Sequence, residues 1–167
     1  MTTPIDPREF RRALGQFGTG VTVITTCEPD GTPRGFTANS FSSVSLNPPL
    51  VSVCVASTAA SAAVFKTAPW FSINILAEEQ RDVSNVFATQ RPDKFLVTEW
   101  KLGKTGMPLI SGTLVAFECS QHTVIEAGDH LILIGRVEAF ETREGWPLLY
   151  YRGAYETLER VPSETTS

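Results

Sequence analysis

From Leu114 onward the chain alternates strictly: Val115, Phe117 and Cys119 fall on one side, Glu118 and Ser120 on the other. A period of two is the mark of a half-buried strand. The run breaks at Glu126-Ala127-Gly128-Asp129, which has the chemistry of a tight turn, and Leu131 to Phe140 returns. Two long strands joined by a short turn form a hairpin, which commits this half of the chain to antiparallel sheet. The rest follows suit. Val21-Thr22-Val23-Ile24-Thr25-Thr26 is β-branched, Glu28-Pro29-Asp30-Gly31 is a turn, and 34–42, 50–55, 70–76 and 148–151 read as further strands.

Helices are few. Asp6-Pro7-Arg8-Glu9 supplies a cap, a proline for the first helical position and a capping-box glutamate. That helix is expected to carry Phe10, Ala13, Leu14 and Phe17 inward and to stop near Gly18 or Gly20. Residues 57–65 read as a short helix with hydroxyls at its start, and Ala77-Glu78-Glu79-Gln80 opens another with Val83, Val86 and Phe87 on one face. Residues 94–107 read as an irregular connection, and 161–167 as a disordered tail. Many strands on short turns with about three helices is not an alternating βαβ pattern; it predicts a mainly β fold, an antiparallel β-barrel with peripheral helices.

A length of 167 residues, 42% of them hydrophobic, predicts a single domain over 1–160 with a substantial core. The net charge of −4 argues against nucleic-acid binding, which needs a basic face. There is no apolar leader and no run of the ~20 residues that would span a bilayer. Cys27, Cys54 and Cys119 are odd in number and widely spaced, so they suggest neither a disulfide framework nor a metal site, and they point to the reducing cytoplasm.

Several segments carry chemistry. Gly15-Gln16-Phe17-Gly18-Thr19-Gly20 imitates a dinucleotide loop, but these glycines follow a helix and precede a strand, the reverse of that motif. The run 37–45 places small and hydroxylated residues between strands. It reads either as a solvated sheet edge or as a wall for a flat ring, with Asn39 offering donor and acceptor and Ala38 allowing close approach. Ser57, Thr58 and Ser61 read as plain capping residues or as a phosphate seat. Gly128-Asp129-His130 is a turn that delivers a histidine to a strand, and with only His122 besides, a metal site is not expected. Arg91-Pro92-Asp93-Lys94-Phe95 is a charged loop beside an aromatic residue. Tyr150-Tyr151-Arg152-Gly153-Ala154-Tyr155 is an amphipathic edge or a nucleotide contact. No nucleophile elbow, P-loop or HExxH is present, so an enzyme of this kind would take its hard chemistry from a cofactor.

In order along the chain, these motifs resemble one family. Asp6-Pro7-Arg8-Glu9-Phe10, Leu14-Gly15-Gln16-Phe17, Gly20-Val21-Thr22-Val23-Ile24-Thr25-Thr26, Gly35 to Leu50, Phe71-Ser72-Ile73-Asn74-Ile75-Leu76, Pro92-Asp93-Lys94-Phe95, Gly128-Asp129-His130 and Leu148 to Gly153 are similar to segments of the short-chain flavin reductases, the reductase components of two-component monooxygenases. The resemblance implies a split barrel with Greek-key connections, a homodimer, and reduction of FMN or FAD by NADH or NADPH. The absence of an obvious basic cluster for a 2′-phosphate tilts the reading to NADH. Reduced flavin would pass to a separate oxygenase.

Residue by residue, the resemblance puts Pro33, Arg34, Gly35, Phe36 and Thr37, with Ala38, Asn39 and Ser40, along the flavin. Cys54, Val55, Ala56 and Ser57, with Ala60 and Ser61, would hold its ribityl and phosphate part, and Val86 and Phe87 would flank it. His130, in an orienting role, and Tyr150, Tyr151, Arg152 and Gly153 would meet the nicotinamide nucleotide. Many relatives carry Arg or Lys just after the Cys54 strand; residues 56–61 here have no cation, so the phosphate would rest on hydroxyls and backbone N–H groups, helped by Arg34 or Arg91. Two rival readings remain at this point: a split-barrel FMN oxidase of the pyridoxamine-phosphate-oxidase type, and a non-catalytic flavin- or haem-binding module.

Overall fold

The hairpin expected from alternation is the longest feature of the computed structural model, which describes residues 4–159. In chain order the elements are α1 (Pro7–Leu14), β1 (Thr19–Gly20), β2 (Thr22–Cys27), β3 (Pro33–Ala38), β4 (Ser42–Leu46), β5 (Pro49–Ala56), α2 (Ala62–Thr67) and β6 (Trp70–Ile75). A 3-10 turn (Glu78–Gln80) leads into α3 (Arg81–Ala88), followed by β7 (Trp100–Leu102), β8 (Pro108–Ile110), β9 (Val115–Ala127), β10 (His130–Thr142), β11 (Leu149–Tyr151) and β12 (Ala154–Glu156).

β9 and β10 are 13 residues each and pair antiparallel from Ala127↔His130 to Val115↔Thr142. β5 pairs with the first half of β10, and β6 with the first half of β9. The sheet that results has seven strands in the order β3-β2-β6-β9-β10-β5-β4, every pair antiparallel. It curls: β3, at one end of the order, comes against β5, next to the other end. The Ser40 hydroxyl spans the gap, accepting from the Cys54 N–H at 2.9 Å and donating to the Cys54 carbonyl at 3.3 Å.

Two bulges, between Ile134 and Gly135 and between Val137 and Ala139, bend the long hairpin. Gly135 is required at the first. A Cβ there would lie 2.5 Å from the Phe71 ring and 2.8 Å from Cys119 Cβ, both wholly buried.

β2 is buried on both faces and divides two cores. Ile24 packs with Phe65, Phe71, Ile73, Val53 and Leu133 inside the curl; Val23 packs with Val21, Leu76, Phe87, Ile110 and Leu148 beyond it. An unbroken β-branched run is what such a doubly buried strand needs. α2 closes the first core through Phe65 and α3 closes the second through Phe87. A small sheet, β1-β11-β12, joins the two ends of the described chain, and β7 and β8 form a two-stranded ribbon.

Four expectations change. α1 is capped as read, with Asp6 Oδ1 accepting from the Arg8 and Glu9 N–H groups, but it has no buried residue. Phe10, Leu14 and Phe17 are exposed: eight residues make about two turns, and the chain leaves at Gly15 before those side chains reach either core. Residues 57–61 form turns, and α2 begins only at Ala62, because the short hydroxyl side chains there serve turns better than a helix interior. The strand read across 34–42 is two strands bent at Asn39 and Ser40. Residues 94–107 contain β7. The tail assigned to 161–167 lies outside the described residues.

Glu118 is buried on β9, 4% exposed. Its carboxylate accepts the Thr105 N–H and hydroxyl at 2.6 Å each and the Lys104 N–H at 3.1 Å. Burial works against the charged form, yet the bonds from Thr105 and Lys104 outweigh it and hold the carboxyl below its usual range. The folded pKa is thus depressed, so this stabilisation is present above the ordinary carboxylate pKa and is lost as pH falls through the folded value. Glu118→Gln should flatten the acid side of the stability–pH profile measured by thermal unfolding; an unaltered acid limb would remove Glu118 from acid unfolding.

Candidate functional site

β3 is an edge strand, so one side of it faces an open cleft of about 580 Å³. The opposite wall is the end of β5 with the turn at 59–61, and the floor is the exit of α3 at 87–95. Packing fixes this geometry. A Cβ on Gly35 would come 2.8 Å from the Phe87 ring and 3.0 Å from the Ile24 carbonyl, so glycine lets α3 lie directly on the strand. The Thr37 hydroxyl donates to the Ser84 carbonyl at 2.7 Å. Lys94 Nζ donates to the carbonyls of Gly35 and Phe87, each at 3.1 Å, and burial pulls its ammonium below the usual lysine pKa.

Both arginines at this cleft are already paired, whereas Lys94 meets only carbonyls. Arg34 is paired with Glu28, and Arg91 is held bidentate by Asp93, whose carboxyl is lowered by that bond. Neither is a free cation. Ser61 stands at the N-cap of α2 without making a capping bond, so its hydroxyl is open to the cleft.

A second cleft, of about 900 Å³, adjoins the first. α1 and the turn after it form one wall, with Arg8, Arg11, Arg12, Gln16 and Phe17; Tyr150, Arg152 and Gly153 form the other. The β11–β12 hairpin has a two-residue turn, Arg152-Gly153, with φ of 50° and 85°. Both residues of such a turn take positive φ, which is why glycine is favoured there. Tyr155 anchors the hairpin on α3 through Ser84 Oγ at 2.8 Å and Asn85 Oδ1 at 3.0 Å.

Asn39 and His130 line both clefts. His130 opens β10, opposite Ala56 of β5, and its Nδ1 lies 2.7 Å from Asp129 Oδ1. An ionised carboxylate only accepts, so Nδ1 carries the proton and Nε2 of the neutral ring is left as an acceptor. This bond also lowers the Asp129 carboxyl. The Asn39 amide makes no hydrogen bond among the described residues.

Of the residues singled out from sequence, Pro33, Arg34, Gly35, Phe36, Thr37 and Ala38 line the first cleft with Ser40, Cys54, Val55, Ala56, Ala60, Ser61 and Phe87. Tyr150, Arg152 and Gly153 line the second. Three lie outside both. The Ser57 N–H donates to the Asp129 carbonyl at 2.9 Å, so Ser57 belongs to the turn that holds the histidine. Val86 packs against the second core. Tyr151 borders a separate shallow hollow, with the Arg152 guanidinium 5.7 Å from its ring centroid. Sequence reading passed over Glu28 as a lining residue, Lys94 as the staple, and the arginines of α1. The 8, 11, 12 spacing puts those arginines on one helix face and could have been read. Among the described residues no three of His, Cys, Asp and Glu gather as a metal site would require.

Residues 14–159 match the family model described as "Flavin reductase like domain". The reductase component of the flavin-dependent trigonelline monooxygenase of Acinetobacter baylyi is 51% identical over 96% of this chain and 52% of its own length. The FMN reductase (NADH) SmoA of Agrobacterium fabrum is 42% identical over 92% of this chain and 87% of its own. Among solved structures, the NADH:FAD oxidoreductase SgcE6 of Streptomyces globisporus, in complex with NAD and FAD fragments, superposes with a TM-score of 0.87 at 36% identity, covering 98% of this chain and 99% of that one. This chain spans about half the length of the Acinetobacter relative.

Replacing Lys94 by Met keeps the stem and removes the ammonium, leaving the Gly35 and Phe87 carbonyls unpaired. The expected loss is about 1–3 kcal/mol in denaturant unfolding. An unchanged midpoint would show that those carbonyls do not depend on Lys94.

Proposed function

The chain belongs to the flavin reductase-like domain family, and on that footing we propose that it is an NAD(P)H:flavin oxidoreductase that delivers reduced FMN or FAD to a separate monooxygenase component. The observation that carries the reading is the meeting of two unlike clefts at Asn39 and His130. The first has a backbone wall of small residues, a free amide, an unused hydroxyl and arginines that are already paired, which suits a flat ring bearing one phosphate. The second is cationic, which suits a dinucleotide.

The flavin and the nicotinamide supply the redox chemistry, a hydride exchange between their rings, so the chain needs no nucleophile of its own. Its residues position and desolvate. The edge of β3 offers peptide groups to one ring edge, while the Asn39 amide supplies both a donor and an acceptor at the junction. Asp129 fixes the His130 tautomer, so that Nε2 presents a lone pair there. Gly35 and Ala38 keep bulk off the ring face, and Phe87 closes the floor. The Ser61 hydroxyl and the N–H groups of Ala60 and Ser61 would hold the phosphate, because Arg34 and Arg91 are already paired and the Ala59 N–H is taken by the Ala56 carbonyl. The homodimer belongs to the same reading: Phe10, Leu14 and Phe17 leave α1 an apolar face for a second copy. Free thiols at Cys27, Cys54 and Cys119 suit a cytoplasmic protein.

NADH oxidation measured with FMN, with FAD and with neither tests the proposal. Turnover that depends on added flavin is expected. A yellow protein without turnover would instead support the tightly bound oxidase or the binding module. Ser61→Ala should weaken flavin affinity about fivefold, the worth of one hydrogen bond of about 1 kcal/mol. It should leave the melting temperature unchanged, because the hydroxyl makes no capping bond. Unaltered affinity would take Ser61 out of the site.

A further inference from the structure

Among the described residues, Glu28 is the one carboxylate that lines the first cleft. A phosphate site gains nothing from an acid, which repels the ligand. The β2–β3 turn fixes where it stands. The Glu28 N–H donates to the Thr32 carbonyl at 2.8 Å, the Gly31 N–H donates to the Glu28 carbonyl at 2.9 Å, and Asp30 Oδ1 accepts from the Thr32 N–H at 2.9 Å. Asp30 closes the turn, and the Glu28 side chain is left to reach along β3. Thr26 pairs with Arg34 across the two strands, so Glu28, two residues on, is a diagonal neighbour of Arg34 on the same face.

The pair they make is partial. Glu28 Oε1 meets Nε of Arg34, and the two terminal guanidinium nitrogens have no hydrogen-bond partner among the described residues. Arg91, by contrast, is closed on Asp93 through both Nε and a terminal nitrogen. The Arg34 side chain is 42% exposed, so a ligand has access to it. A partly exposed pair of this kind adds little to the fold, so stability does not account for its place in the cleft. Side chains alternate along a strand, which puts Arg34 on the side of β3 that carries Phe36. The Phe36 ring meets Phe65 of α2 with centroids 5.0 Å apart, and the Phe65 N–H donates to the carbonyl of Ser61, the N-cap of that helix, at 3.1 Å. Arg34 therefore faces the α2 side of β3, the side on which Ser61 stands.

We propose that Glu28 is a specificity residue of the first cleft: it holds the Arg34 guanidinium back from the flavin phosphate and so keeps the flavin a ligand that leaves. This rests on the reductase reading for the identity of the ligand. The effect has the same sign whichever partner the guanidinium takes. With Arg34 on Glu28, the phosphate has a hydroxyl and two N–H groups alone. With Arg34 turned to the phosphate, which a guanidinium binds bidentately, Glu28 is left as an unpaired charge beside a phosphate of like sign. Both cases weaken the hold on the phosphate and leave the ring untouched. The device thus acts on phosphorylated flavins and not on riboflavin. It acts most on FMN, whose monoester phosphate carries more charge than either diester phosphate of FAD.

The test titrates the full chain, freed of flavin, with FMN, FAD and riboflavin, and reads each affinity from flavin fluorescence. The readout is the preference for FMN over riboflavin. Glu28→Gln should raise it about fivefold, the gain appearing as slower FMN release, and should raise the preference for FAD by less. Glu28→Asp keeps the charge but draws it back by one methylene, and should shift the preference in the same direction by a smaller factor; it carries the test if Glu28→Gln does not fold. Adding Arg34→Gln to Glu28→Gln should return the preference to that of the parent. A gain that survives in the double variant, or a preference unaltered in the Glu28 variants, would overturn the proposal while the reductase reading stands. A chain that binds none of the three flavins would sink both.

Discussion

The long ladder between β9 and β10 is the constraint on which the molecule depends. β5 takes its register from one strand of the hairpin and β6 from the other, so the curl of the sheet follows the bends in this one pair. The bends come from the bulges, and the first tolerates only glycine because Phe71 and Cys119 fill the space beside it. Since β10 pairs with β5 from its first residue, the tight turn that begins the hairpin also sets His130 against Ala56 at the mouth of the clefts. Fold and site thus share one ladder.

The second organising element is β2. Ile24 and Val23 are successive residues that serve different cores, one inside the curl and one under α3 and the β11–β12 hairpin. The inner core holds β5 and α2 in place; the outer one holds α3, whose Phe87 reaches back to Gly35. The first cleft lies where elements from the two cores face each other, β5 on one side and α3 on the other. This explains why β3, an edge strand with unpaired peptide groups, is steadied by side-chain bonds from Thr37 to α3 and from Lys94 to Gly35.

Much of this was legible in the sequence wherever a single segment carries its own evidence. Alternation announces β9 and β10, Gly128-Asp129 announces their turn, and the β-branched Val21–Thr26 run announces a strand, though not that it is buried on both faces. The first cleft was legible too, since most of its wall is two continuous runs, 33–40 and 54–56. What was not legible depends on partners elsewhere. The apolar residues of α1 give the period of a helix but not what covers it, and here neither core does. Arg34 and Arg91 look like free cations until Glu28 and Asp93 are seen beside them. The cationic wall joins residues 8–12 to residue 152, a juxtaposition made by β1, β11 and the Gly15–Arg152 bond, and no local pattern encodes it.

Asn39 and His130 are common to both clefts, and this has a thermodynamic consequence. Any ligand that orders either side chain, or strips water from it, changes the free energy of binding in the neighbouring cleft. Linkage requires the effect to be reciprocal: the factor by which the first ligand alters affinity for the second equals the factor by which the second alters affinity for the first. The two sites are therefore one coupled equilibrium. A substitution at either shared residue changes the coupling as well as both affinities, whereas substitutions at the far ends, Ser61 on one side or Arg8 on the other, act on a single affinity.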